Sequence, residues 1–448
     1  MLDNLKLLIF AMTLAVAPGM AAQDGFGTFK IDGQEFALEL EDSFVLDFND
    51  HKPAATSESL FETGFFEVED CLYFNFRTIM WSKSPRLFAF DRRTHTFVDL
   101  VTVVFEDGVK PNDFATQFAG SDSEGTPYVA SYCNPWGQVN NLEFALYRID
   151  VRDGVPYATA RYEMVLPDGL ATFDVAAVEG SIKSGKFSVY VIERENAYIN
   201  APFDVGSSDV RPSTLARYDF DGNTKTAPAA YAQARLSVTT VCPHGNGTFT
   251  LFDLNSYGIL ADVFDYSRPT LCRFAGSGAT TIERVADDFS GDLADYSVGL
   301  AYGTVGGKTF VCYGNKLGRT GEGNEYTVAH APAYPASYAG MERAWTIVDK
   351  SPTLRPADMI NHTKGIVVKQ RPTADGLKFD IFSTPNVFAS YAVRPVGSQT
   401  DVGDVTAVAT ETGPARYYTL TGIAVDTPSR PGIYIAVNGS RACKMVVK

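Results

Sequence analysis

Apolar positions along the chain come in short runs rich in Val, Phe, Tyr and Thr, each bounded by Gly, Pro, Asn or Asp. Runs of that length and composition read as strands, and the period-2 alternation of KFSVYVIE (186–193) and GTFTLFDL (247–254) points the same way. Helical periodicity is hard to find after residue 22. The chain reads as all-β.

The runs also repeat. A strand ending near Asp, followed by a turn and a partner strand, appears as LFAFDRRTHTF from Leu87, LYRIDVRDGVPY from Leu146 and LARYDFDGN from Leu215. Weaker copies start at Leu271, Tyr326 and Phe388, so that successive starts lie 59, 69, 56, 55 and 62 residues apart. Upstream of each lies another strand, as in LYFNFRTI (72–79), FSVYVIE (187–193) and FDIFST (379–384). Most units offer a third further upstream: FATQFAG (114–120), FDVAAVEG (173–180), ARLSVTTV (234–241) and YSVGLAYG (296–303). With the partner strand after the turn, each unit holds four strands.

Four antiparallel strands recurring every ~40–60 residues describe a β-propeller blade. A lone four-stranded sheet exposes both faces, and packing sheets face to face around an axis buries them. The spacing predicts a propeller over 23–398, with six blades favoured and five or seven as neighbouring counts. The N-terminal pair FGTFKI and QEFALEL (26–40) is placed to complete the last blade and close the ring. A pair of β-sandwiches is the competing architecture, and the even spacing argues against it.

Residues 1–22 have the layout of a cleaved secretory signal: Lys6, an apolar run from Leu7 to Val16, then Pro18-Gly19 and small residues to Ala21-Ala22. The run is shorter than the ~20 apolar residues of a spanning helix, and no later stretch is apolar enough to span a bilayer. No Cys lies near the cleavage site, which argues against a lipid-anchored N-terminus. The six cysteines form no C-x-x-C pair, and Cys133, Cys242, Cys272 and Cys312 sit in or beside apolar runs, the setting of free packed thiols.

At the other end, 399–404 reads as a linker and 405–448 as a small β unit. Tyr417-Tyr418-x-Leu420-x-Gly422-x-x-Val425, Pro431-Gly432-Ile433-Tyr434-Ile435, Gly439 and the closing Lys444-Met445-Val446-Val447-Lys448 mark it. Residues 414–448 thereby resemble the C-terminal sorting-type tail, linked to type IX secretion, of exported Bacteroidetes proteins. The resemblance implies an Ig-like β unit, here short enough to be a truncated form, read by secretion machinery that moves cargo across the outer membrane. The implied address is extracellular or cell-surface, with the periplasm as the fallback.

Charge and composition narrow the partners. Lys+Arg number 38 against 53 Asp+Glu, for a net charge of −15, which argues against nucleic acid and anionic membranes as ligands. The five histidines form no H-x-x-x-H or H-E-x-x-H, and no G-x-S-x-G elbow occurs. Gly318-x-x-Gly321-x-Gly323 reads as a turn rather than a phosphate cradle. Asp219-Phe220-Asp221-Gly222-Asn223 and the set Asp287, Asp288, Asp292 and Asp295 have calcium-type ligands, but turn and linker chemistry explain them better, so no cofactor is expected.

The aromatic residues carry the binding expectation. Loops joining second and third strands share one end of a propeller, and here they hold Trp81, Asn134, Trp136, Tyr198 and Tyr257. Aromatic faces beside amide donors suit sugars or extended peptides. The same residues also suit blade-to-blade sealing. The expected function is an exported, non-catalytic binding protein whose ligand is a glycan, a glycoprotein or another extracellular protein. The alternative is a propeller-type polysaccharide hydrolase or lyase.

Overall fold

The computed structural model describes residues 26–45, 61–77, 86–109, 115–132, 144–195, 214–233, 238–253, 269–279, 281–285, 300–316, 324–349, 366–373, 376–383, 387–397, 416–419, 424–425, 432–438 and 441–447. Their regular structure is all strand, with no helix among the described residues. Six small antiparallel sheets form a six-bladed β-propeller.

Each blade runs outward in chain order. Blade 1 is Phe61–Val68, Cys71–Arg77, Arg86–Asp91 and Thr96–Thr102. Blade 2 is Ala115–Ser121, Pro127–Tyr132, Phe144–Arg152 and Val155–Met164, and blade 3 is Leu170–Ser181, Lys186–Glu195, Thr214–Asp221 and Ala230–Gln233. Blade 4 comprises Val238–Pro243, Thr248–Asp253, Thr270–Ala275 and Thr281–Arg284. Blade 5 comprises Leu300–Val305, Lys308–Lys316, Asn324–His330 and Glu342–Asp349. Blade 6 takes Ile366–Thr373, Gly376–Ser383 and Val387–Pro395 from one end of the propeller sequence and Gln34–Val45 from the other. That last strand, with Thr28–Ile31 beyond it, closes the ring.

The burial pattern explains the sequence pattern. Middle strands touch a neighbouring blade on both faces, so they read as nearly continuous apolar runs, such as Arg86–Asp91 with four consecutive buried residues. Outer strands such as Thr96–Thr102 have exposed and half-buried positions only. Alternate side chains go to opposite neighbours: Phe65 and Phe74 pack toward blade 6 with Phe388 and Phe44, while Phe66 and Tyr73 pack toward blade 2 with Ala119 and Val129. The described core divides into six apolar clusters. Each lies at one blade–blade junction, the sixth joining Phe310 and Tyr326 of blade 5 to Phe379 and Tyr391 of blade 6 and to Phe36 of the closing strand. Six junctions for six blades is the signature of a closed ring.

Residues 397–448 form a second compact unit. Its four-stranded antiparallel sheet is ordered Ala424–Val425, Arg416–Thr419, Gly432–Asn438 and Arg441–Val447, the last two as a hairpin. No described helix is long and apolar enough to cross a membrane. Described free thiols are Cys71, Cys242, Cys272 and Cys312, the last two buried.

Candidate functional site

The connections 78–85, 133–143, 196–213 and 254–268 do join second strands to third strands. Trp81, Asn134, Trp136, Tyr198 and Tyr257 all fall on them and lie outside the described residues. The described part of the channel is its other end. There the first strand of each blade turns back into the second, and a cavity of about 1780 Å³ is lined from all six blades.

The turns at this end are tied to one another by carboxylates. Asp122 sits at the blade 2 turn, where its Oδ1 accepts the backbone N–H of Glu124 (2.9 Å) and Thr126 (2.8 Å). Its Oδ2 accepts the N–H of Ile182 in the blade 3 turn at 2.8 Å, so both oxygens of this buried acid are hydrogen-bonded. Glu124 accepts the Ser181 hydroxyl at 2.5 Å. One step further round, Glu179 of blade 3 accepts the Gly245 N–H of the blade 4 turn and the Tyr190 hydroxyl. Charge-assisted bonds of this kind fix the rim before any ligand arrives.

A polar-aromatic wall follows at blades 4 and 5. His244 uses both ring nitrogens, Nδ1 with the Thr248 hydroxyl and Nε2 with the Tyr334 hydroxyl, each at 2.9 Å. Tyr334 in turn meets the Thr250 hydroxyl at 2.6 Å. Burial pushes His244 down to about 4, so the imidazole is neutral near pH 7. Burial likewise pushes the Cys242 thiol up to about 12, which keeps it protonated. Tyr302, half-buried, stands edge-on to His244 at 5.6 Å and to Tyr334 at 4.9 Å between ring centroids.

Nine carboxylates and two basic side chains, Lys186 and Arg217, line the cavity. The basic pair is already engaged: Lys186 faces Asp221 at 3.1 Å and Arg217 holds Asp219 at 3.0 Å. Asp219 also accepts the Ser188 hydroxyl, and Asn223 Oδ1 accepts the Asp221 N–H, so the Asp219–Asn223 stretch is built into strand end and turn. Among the described residues no group of three or more His, Cys, Asp or Glu is placed to hold a metal ion.

Sequence reasoning placed the binding end at the aromatic loops and gave no role to the inner turns. The available signal was an acid at or just before several of them: Glu67 with Asp70, Asp122 with Glu124, and Glu179. Chemically the wall is hydrogen-bonding and acidic, with its histidine neutral and its thiol protonated. It is equipped to hydrogen-bond a ligand.

No protein-family model matches the chain. No curated protein matches it in sequence. Among solved structures, one similar chain comes from an S. cerevisiae complex of a Dbp5 variant with Nup159, a Gle1 variant, IP6 and ADP. It shares 8% identity over 80% of this chain and 95% of that chain, with a TM-score of 0.31, a likeness too slight to carry any argument.

Proposed function

We propose that this chain is an exported, non-catalytic binding protein on a β-propeller scaffold, with a glycan or glycoprotein as its ligand. One observation carries the binding half of that reading: the channel mouth is large, polar and prearranged, yet its reactive side chains are quenched. His244 is neutral with both nitrogens occupied, and the Cys242 thiol is protonated. The export half rests on the leader-like residues 1–22 and on the tail resemblance over 414–448, which together imply secretion machinery as a second partner.

A hydrolase or lyase would want a carboxyl that keeps its proton near pH 7 inside the channel. Glu193 has that property, pushed up to about 7 by burial, but it is fully buried and bonded to Tyr218, a member of the core between blades 2 and 3. It is no part of the cavity wall.

The test runs polysaccharides in two formats, retention in affinity gels and release of reducing or unsaturated ends. Retention without turnover is the expected result. Turnover on any substrate would replace this reading with the enzymatic one.

A further inference from the structure

The cavity wall at blades 3 to 5 differs in kind from the rest of the mouth. Tyr302 lies on the inner strand Leu300–Val305 and lines the cavity. Its hydroxyl has no hydrogen-bond partner among the described residues, although burial, the Cys242 thiol and the Glu179 carboxylate push its pKa up to about 12. The ring is held by two edge-on aromatic contacts, from His244 and Tyr334. Such a ring is already ordered, so a ligand that packs on it gives up little of the binding energy to freezing it.

Glu179 shares the wall. Its two carboxylate oxygens each accept one protein donor, Gly245 N–H and Tyr190 O–H. A carboxylate offers about four acceptor positions, so about two stay available for ligand hydroxyls. Gly245 and Gly247 line the same region, where the backbone is open to close approach. His244 adds a neutral ring edge and no charge.

We infer that Tyr302 and Glu179, with His244 beside them, form a subsite for one uncharged sugar ring. The Tyr302 ring packs on the apolar face of the sugar, its hydroxyl bonds a ring substituent, and Glu179 accepts neighbouring sugar hydroxyls. With Glu179 the mouth carries nine carboxylates against two engaged cations, and their charge makes the same cavity repel anionic chains. The cavity holds several sugar units, so the ligand is a neutral oligosaccharide or the neutral part of a longer glycan. This inference rests on the glycan reading above and narrows it to a place and a charge class.

The experiment is isothermal titration calorimetry of the full chain with cellohexaose, laminarihexaose, xylohexaose and mannohexaose, and with hexagalacturonate as the anionic probe. At least one neutral hexaose should bind, and hexagalacturonate at least tenfold more weakly. Tyr302→Phe should weaken that neutral ligand about three- to tenfold and Glu179→Gln about tenfold, each hydrogen bond being of ordinary strength. Tyr302→Ala should weaken it further, and Tyr302→Phe keeps the question answerable if the alanine variant folds poorly. Unchanged affinity in both Tyr302→Phe and Glu179→Gln would overturn the subsite and leave the glycan reading standing. Tighter binding of hexagalacturonate than of every neutral sugar would overturn the charge class. No binding of any sugar by the unmodified protein would overturn both readings together.

Discussion

Removing the guanidinium of Arg92 should loosen the seam where the two ends of the propeller sequence meet. Arg92 follows the third strand of blade 1 and reaches three other elements. Its Nε lies 2.9 Å from Asp42 on the closing strand, and its Nη1 lies 2.8 Å from Glu67 on the inner strand of blade 1. Its Nη2 lies 3.9 Å from Asp380 on the second strand of blade 6, and the group sits 5.1 Å over the Phe388 ring. Side-chain exposure is 12% for Arg92, 17% for Asp42 and Glu67 and 5% for Asp380, so one cation serves three nearly buried carboxylates. Asp42 has one other cationic partner, His95 at 2.8 Å, which is charged only when protonated.

Arg92→Met keeps the apolar stem over Phe388 and deletes the charge. Breaking a buried ionic set by removing one partner costs about 3–5 kcal/mol, chiefly because the abandoned charges stay buried. For a long chain that corresponds to a fall in Tm of roughly 5–10 °C. The control is Arg93→Met, one residue on, where the side chain is 73% exposed and its contact with Asp91 is 3.5 Å. An exposed pair of that kind is worth about 0–1 kcal/mol. Both variants are compared by urea denaturation and thermal melts at neutral pH. Adding Asp42→Asn should recover part of the Arg92→Met deficit. Equal stability of the Arg92 and Arg93 variants would refute the reasoning.

Three further outcomes follow from single residues. Gly64 has φ +141° at a bulge in the inner strand of blade 1, and a Cβ there would stand 2.3 Å from the Ala119 carbonyl of blade 2; Gly64→Ala should cost about 3 kcal/mol in denaturant melts. Gly108→Ala, equally left-handed (φ +80°) but with open space around it, should cost about 1 kcal/mol, and equal costs would remove the close-approach argument. Burial raises Glu193 to about 7, so the folded state keeps a proton that the unfolded chain releases near 4.5. Stability should therefore fall by about 3 kcal/mol as pH rises from about 4.5 to 7, and Glu193→Gln should flatten that slope. His244 works in the opposite sense: burial lowers it to about 4, so stability should fall by about 3 kcal/mol as pH drops from 6.5 to 4, a dependence His244→Gln removes.

The blades were legible because their middle strands are buried on both faces. Continuous apolar runs such as LFAFD and FALY announce themselves, and a ring of similar sheets spaces them evenly. The inner strands of blades 1 and 6 were harder to see. Phe61–Val68 is interrupted by the Gly64 bulge, and Ile366–Thr373 carries Lys369, Arg371 and Pro372, so neither alternates cleanly. The closing strand was recognised only to residue 40, because its continuation, EDSFV, looks too acidic for a sheet. In the fold that acidity is matched across the sheet: Arg394 meets Glu39 and Glu41, and Lys378 meets Glu41. A charged strand is stable where its neighbours carry the complement, and a single sequence does not say which neighbours those are.

The channel mouth was illegible for a related reason, since its chemistry is built between blades. Asp122 reaches Ile182, Glu124 reaches Ser181, and Glu179 reaches Gly245, over separations of 60, 57 and 66 residues. Each of those is close to one repeat. A bond from a turn to the equivalent turn of the next blade has no local signature, because the acid and its partner are both ordinary turn residues. The repeat length nonetheless predicts where such partners fall once the ring is known. Asp122, Glu124 and Glu179 each bond forward by one blade and so help hold the rim. Tyr302 departs from that pattern at its hydroxyl: the ring meets His244, about one repeat back, but the hydroxyl has no partner among the described residues. Beside rim groups tied to the next blade, a hydroxyl that is not tied is the place to look for a ligand.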